Sequence, residues 1–139
     1  MGLTIIVVTH EMDVVQNICE KMAIMENGRI VASGSIPEMF LKKPPEFKKL
    51  LGDDSFVIPK EGITIRLSLS EALVDEPVLF RLSKVLEYDL NVLDSTFYNF
   101  NNKKYASITI IINSLEIETA LKFFNHHKIE YAILENGGI

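Results

Sequence analysis

The 139-residue chain contains no tryptophan and a single cysteine, Cys19. One cysteine excludes an intrachain disulfide framework and a cysteine-rich zinc site, and is what a reducing cytosol leads one to expect. Positive charge is also scarce: 14 Lys and Arg stand against 19 Asp and Glu, for a net charge of −5. The imbalance is local, since residues 1–52 hold six basic and six acidic side chains while 53–139 hold eight and thirteen. An acidic chain without a basic stripe binds a phosphate backbone poorly, so no nucleic-acid partner is expected. The apolar run at 5–8 is far too short for a membrane span, and it lacks the basic lead and cleavage site of a signal peptide. No Gly-Lys pair occurs anywhere, which removes the phosphate-cradling loop G-x-x-x-x-G-K-[ST]. His126 and His127 are adjacent on an expected helix, so their side chains diverge and no metal site is expected.

Residues 3–8, LTIIVV, have the continuous apolar pattern of a parallel strand buried on both faces. The strand delivers Thr9 and His10 to its carboxyl end. A start just before such a strand leads us to expect a truncated piece of a longer protein. Residues 11–19 predict a short helix with Met12, Val15 and Cys19 on one side. Asn27-Gly28 between two apolar runs predicts a tight hairpin, because that dipeptide accepts positive φ at both positions. Residues 35–51 predict two short helices interrupted by Pro44-Pro45, with Lys42-Lys43 and Lys48-Lys49 on solvated faces. A polar stretch with Pro59 and Gly62 marks a linker over 53–61.

Beyond the linker the period changes. Residues 63–69 alternate strictly, Ile63, Ile65, Leu67 and Leu69 against Thr64, Arg66 and Ser68, which predicts a half-buried strand. A helix follows, with Asp75 as cap, Pro77 in its first turn and Leu79, Leu82 and Leu86 as its apolar stripe. Residues 91–100 predict a second strand and Asn101-Asn102 a turn. Residues 105–113 predict a third strand, with a capping box from Asn113 to Glu116. A second helix carries Ile117, Ala120, Leu121 and Phe124, with His126, His127 and Lys128 at its end, and residues 130–134 form a fourth strand. The fold class is α+β, and the β-α-β-β-α-β order over 62–139 is the ferredoxin-like arrangement. In that fold the second strand lies at an edge, where unpaired backbone and apolar side chains favour pairing. A homodimer through residues 92–97 is therefore expected.

VVTHEMDVV, ICEKMAIMENGRIVASG and the PEMF segment resemble the C-terminal end of the α/β ATPase domain of ABC transporters. With the domain that follows, the chain is similar to the ATP-binding subunit of bacterial methionine importers. The resemblance implies that residues 1–52 are an ATPase remnant and that His10 is its switch histidine, which hydrogen-bonds the γ-phosphate and positions attacking water. The phosphate loop, the magnesium-binding strand and the signature loop are absent from this sequence, so the chain is expected not to be an enzyme. ATP and Mg²⁺ would belong to the longer parent, and the chain itself would need no cofactor. Residues 62–139 resemble that family's regulatory domain, named for an Asn-Ile-Leu tripeptide, here Asn91-Val92-Leu93.

That resemblance further implies cytosolic L-methionine as effector, bound near a dimer interface so that transport is held at rest when methionine is plentiful. The parent would sit on the cytoplasmic face of the membrane beside a permease subunit. The expected ligand-binding residues are Asn91, Val92, Leu93, Asp94, Ser95, Phe97 and Arg66. A free amino acid presents a carboxylate, an ammonium and, in methionine, a thioether. Arg66 can neutralise the carboxylate, Asp94 can take the ammonium, and Leu93 with Phe97 can line the thioether slot. Each has a structural counterpart: Asn91 as a helix C-cap, Leu93 and Phe97 as dimer core, Arg66 as a solvated surface charge. The rival function is a dimerisation module without effector binding.

Overall fold

The computed structural model describes residues 3–51, 58–88 and 90–134. Residues 53–57 of the expected linker lie outside them. The first elements are α1 (Met12–Ile18), β1 (Lys21–Glu26), β2 (Arg29–Ser35), α2 (Ile36–Lys42) and α3 (Pro45–Leu51). There follow β3 (Ile63–Leu69), α4 (Val78–Leu86), β4 (Asn91–Phe100), β5 (Lys103–Ile112), α5 (Ile117–His126) and β6 (Glu130–Leu134). No helix among the described residues is long and apolar enough to cross a membrane.

β3 to β6 form one antiparallel sheet in the order β4-β5-β3-β6. The first and third strands of the ferredoxin-like unit are thus central, and β4 and β6 are its edges. Register pairs Ile65 with Ile110, Leu67 with Ile108 and Leu69 with Ala106. Cross-strand partners share a face, so these six form one apolar surface, and all are buried. Val78, Leu82 and Leu86 of α4 and Ala120, Phe123 and Phe124 of α5 close over it. The buried helical stripe begins at Val78, one residue before the expected Leu79, which packs half-buried against the same core. Asp75 is not its cap: Pro77 holds that position without a side-chain hydrogen bond. Glu76 instead pairs with Arg81 at 3.1 Å.

Two further local expectations are corrected. Asn113 caps a 3-10 turn, Ser114–Glu116, by accepting from the Leu115 amide at 3.0 Å. The Glu116 amide donates to the Asn113 carbonyl, so the link is a turn and not a reciprocal capping box. Residues 3–8 form no strand among the described residues. Leu3, Ile6 and Val8 are 84%, 85% and 97% exposed. A pattern suited to a sheet interior has no neighbouring strand here to bond its backbone.

The hairpin and helices of the first half form as their punctuation dictates. Asn27 and Gly28 both take positive φ, 50° and 76°, in the β1–β2 turn. Lys43, at φ 46°, ends α2 before the two prolines. These elements also find a core. Val15, Ile24, Ile36, Met39, Phe40 and Phe47 cluster with Phe100, and Tyr98 and Tyr105 pack against them. The Phe40 ring centroid lies 4.8 Å from Phe47, 5.7 Å from Tyr98 and 5.1 Å from Phe100. The far end of the β4–β5 hairpin is therefore part of the first half's core. The Asn101 side-chain amide adds a bond to the Cys19 carbonyl at 3.3 Å.

Candidate functional site

The site is set by register on the sheet face away from α4 and α5. β4 pairs with β5 from Asn91↔Ile111 to Phe100↔Lys103, with an irregularity between Val92 and Asp94. Leu93 is the residue left without a partner, so the tripeptide Asn91-Val92-Leu93 ends in a β-bulge. A bulge inserts one residue and reverses which side chains face which way beyond it. Its effect here is specific. Asp94 pairs with Thr109, Thr109 pairs with Arg66, and Arg66 pairs with Ala132. One row across four strands therefore carries a carboxylate, a hydroxyl and a guanidinium.

Strands in a sheet lie about 4.8 Å apart, so Asp94 and Arg66 have backbones separated by roughly 10 Å with Thr109 between them. No ion pair to either occurs among the described residues. Arg66 is half-buried and Asp94 exposed. Asn91 belongs to the neighbouring row, Asn91–Ile111–Thr64–Leu134. It is not the C-cap of α4, because Glu87 takes the left-handed conformation there, at φ 61°.

The expected site residues thus divide. Register places Asn91, Asp94 and Arg66 on one face, with Leu93 at the bulge beside them. Val92, Ser95 and Phe97 pair with Ile110, Ile108 and Ala106 and so share the helix-covered face. Val92 and Phe97 are 43% and 69% exposed at that edge. Among the described residues nothing pairs with the outer side of β4. His10 stands apart, exposed just ahead of α1. Thr9 Oγ1 accepts from the Glu11 amide at 3.0 Å beside it.

Two residues of this face escaped the sequence reading. Thr109 and Thr64 are 0% and 2% exposed, and both hydroxyl oxygens lack a hydrogen-bond partner among the described residues. A buried hydroxyl left unpaired costs about 1–3 kcal/mol. The signal was present in the alternation of YASITIIIN, whose off-phase positions are Ser107 and Thr109. No group of three metal-ligating side chains occurs among the described residues.

Comparison with known proteins is consistent along the chain. The NIL domain family matches residues 63–132. A protein from Wolinella succinogenes named "Methionine import ATP-binding protein MetN" is 31% identical over 134 residues, 96% of this chain and 44% of that protein. Proteins of the same name from Campylobacter jejuni and Clostridioides difficile are 32% and 29% identical, over 88% and 98% of this chain. They are matched over 36% and 42% of their own lengths. The chain therefore spans less than half the length of these curated relatives. A solved C-terminal domain of an ABC transporter/ATP-binding protein from Enterococcus faecalis overlaps 55% of this chain and 87% of its own, at a TM-score of 0.45 and 13% identity.

Proposed function

Because this chain belongs to the NIL domain family, we propose that it is the regulatory portion of a methionine importer's ATP-binding subunit and that it binds L-methionine. The ligand lies on the sheet face beside β4, where two copies of the chain meet edge to edge. The observation that carries this reading is the Asp94–Thr109–Arg66 row. An α-amino acid holds its two charges on one carbon, and the row offers a complementary charge at either end. Arg66 grips the carboxylate with its planar fork, and Asp94 accepts from the ammonium. Asn91, with both donor and acceptor, bonds from the next row. Leu93 at the bulge contacts the thioether.

Dimerisation through β4 removes an unpaired edge and covers Val92 and Phe97. Phe97 reaches the ligand only from the partner copy, since its own side chain stands on the opposite face. Effector binding stabilises one placement of the attached residues 3–51 over others, by as much as its affinity differs between them. The chain itself takes no cofactor and hydrolyses no nucleotide. ATP, Mg²⁺, the permease partner and a position on the cytoplasmic face of the membrane belong to the longer parent, in which His10 would act as the switch histidine.

Isothermal titration with L-methionine, using L-leucine and ATP as controls, tests the reading. Saturable binding of methionine alone, weakened at least tenfold in Arg66→Ala and Asp94→Ala with the dimer intact, is the expected result. Silence from a folded dimer would leave the second reading, a dimerisation module, which the exposed Val92 and Phe97 favour. Thr109→Val separates the two more finely. Removal of a buried unpaired hydroxyl leaves stability unchanged or raises it by about 1 kcal/mol. It weakens methionine binding only if the hydroxyl serves the ligand.

A further inference from the structure

We propose that the β4–β5 hairpin is a lever joining the effector site to residues 12–47, with Phe40 as its contact. The inference rests on the methionine-binding reading of the same sheet face. β4 is ten residues long, or roughly 33 Å at the rise of an antiparallel strand. Its first half carries Asn91, the Leu93 bulge and Asp94. After the bulge, Asp94, Thr96, Tyr98 and Phe100 succeed one another on a single face, because side chains alternate along a strand. The last two leave the candidate site and enter the other core.

That second attachment is firm. Phe100 is 2% exposed and Phe40 1% exposed. Tyr98 stacks on Phe100 at 5.3 Å, and Phe100 meets Tyr105 at 5.3 Å. Asn101 at the turn is tied to the Cys19 carbonyl, so α1 is attached to the hairpin tip as well. One strand thus has a ligand-facing half with an irregular register and a far half embedded among α1, α2 and α3. Packed side chains repack between discrete arrangements and do not deform smoothly. A ligand that fixes the register at Leu93 therefore also selects how Tyr98 and Phe100 seat against Phe40.

Coupling of this kind is reciprocal: whatever methionine does to the Phe40 contact, the contact does to methionine affinity by the same factor. Hydrogen exchange of the whole chain, with and without L-methionine, is the first measurement. We expect methionine to slow exchange in β4 and also, about fivefold or more, in Ile36–Lys42. Phe40→Leu and the milder Asn101→Ala should each weaken methionine binding, by about fivefold in the former, although neither residue lies in the site. Protection confined to β4 and β5 in the unaltered chain, or unchanged affinity in both variants, would overturn the lever and leave methionine binding standing. Absence of methionine binding to the unaltered folded chain would remove the effector reading and the lever with it.

Discussion

Residues 3–8 and 63–69 are both apolar-rich, and their fates are opposite. β3 has a strand on either side, pairing with β5 and with β6. Its residues Ile65, Leu67 and Leu69 are almost wholly buried. The segment LTIIVV is the more continuously apolar of the two, yet it pairs with nothing among the described residues and Ile5 is 72% exposed. Hydrophobicity supplies the drive to leave water, but an extended backbone leaves water only when its amides find partners. β3 has those partners within the same 70-odd residues. Residues 3–8 have the composition of a central strand without a sheet.

The two cores differ in the same sense. Beneath α4 and α5 the packing is mostly aliphatic, with Phe123 and Phe124 contributed by α5. Around α2 it is largely aromatic, and it is completed by Tyr98, Phe100 and Tyr105 from the other unit. The first core is assembled from elements contiguous in the chain. The second depends on a borrowed hairpin. The largest effect is therefore expected from Leu67→Ala, which opens a cavity at the sheet centre and costs about 2–5 kcal/mol. Urea unfolding followed by Tyr fluorescence should report a lower midpoint for both units, since losing the β4–β5 hairpin removes the Tyr98 and Phe100 rings against which Phe40 packs. Survival of the α2 core in this variant would break the comparison and show that the first half stands alone.

A smaller effect should come from Gly62→Ala at the entry to β3. Gly62 has φ +77°, and an added Cβ would lie 2.7 Å from Ile111 Cγ2 and 3.1 Å from the Ile112 carbonyl oxygen. Left-handed backbone and a clash with the neighbouring strand together cost on the order of 1–3 kcal/mol. The loss should appear in the β3–β5 sheet as faster amide exchange at Ile63–Leu69, with β1–β2 unaffected. Equal loosening of both sheets would mean that the second core reports on the first more tightly than one shared hairpin allows.

Much of this architecture is legible in the sequence because it is written in short-range patterns. The alternation of ITIRLSL, the Asn27-Gly28 and Asn101-Asn102 turns and the i, i+3, i+4, i+7 spacing of Ile117, Ala120, Leu121 and Phe124 each fix one element with its neighbours. The site was legible only in part. Arg66 and Asp94 could be named as partners for a ligand's carboxylate and ammonium, but their alignment depends on the bulge at Leu93, and a one-residue shift in register has no local sequence mark. The same bulge puts Phe97 on the other face, contrary to simple grouping with Leu93. Thr64 and Thr109 were missed because a threonine off-phase in a strand reads as solvated, whereas here both are buried. The strand expected at 3–8 failed for a different reason: periodicity reports what a segment would bury, not whether a partner is present.

The smallest effect on stability is expected where the sequence is most apolar. Ile6 and Val8 are 85% and 97% exposed, so they contribute little burial to the folded chain. Substituting both by lysine should shift the urea midpoint by no more than about 0.5 kcal/mol in stability terms. Solubility should respond far more. An uncharged β-branched segment with free backbone groups invites pairing with its copy on another chain, and two lysines oppose that by repulsion. Light scattering at rising protein concentration distinguishes the possibilities. If the lysine variant stays dispersed where the unsubstituted chain associates, and both unfold at the same urea concentration, residues 3–8 are an unpaired apolar segment that adds nothing to the stability of the rest. If instead the variant unfolds earlier, residues 3–8 bury surface in solution, and the contrast with β3 narrows to one of degree.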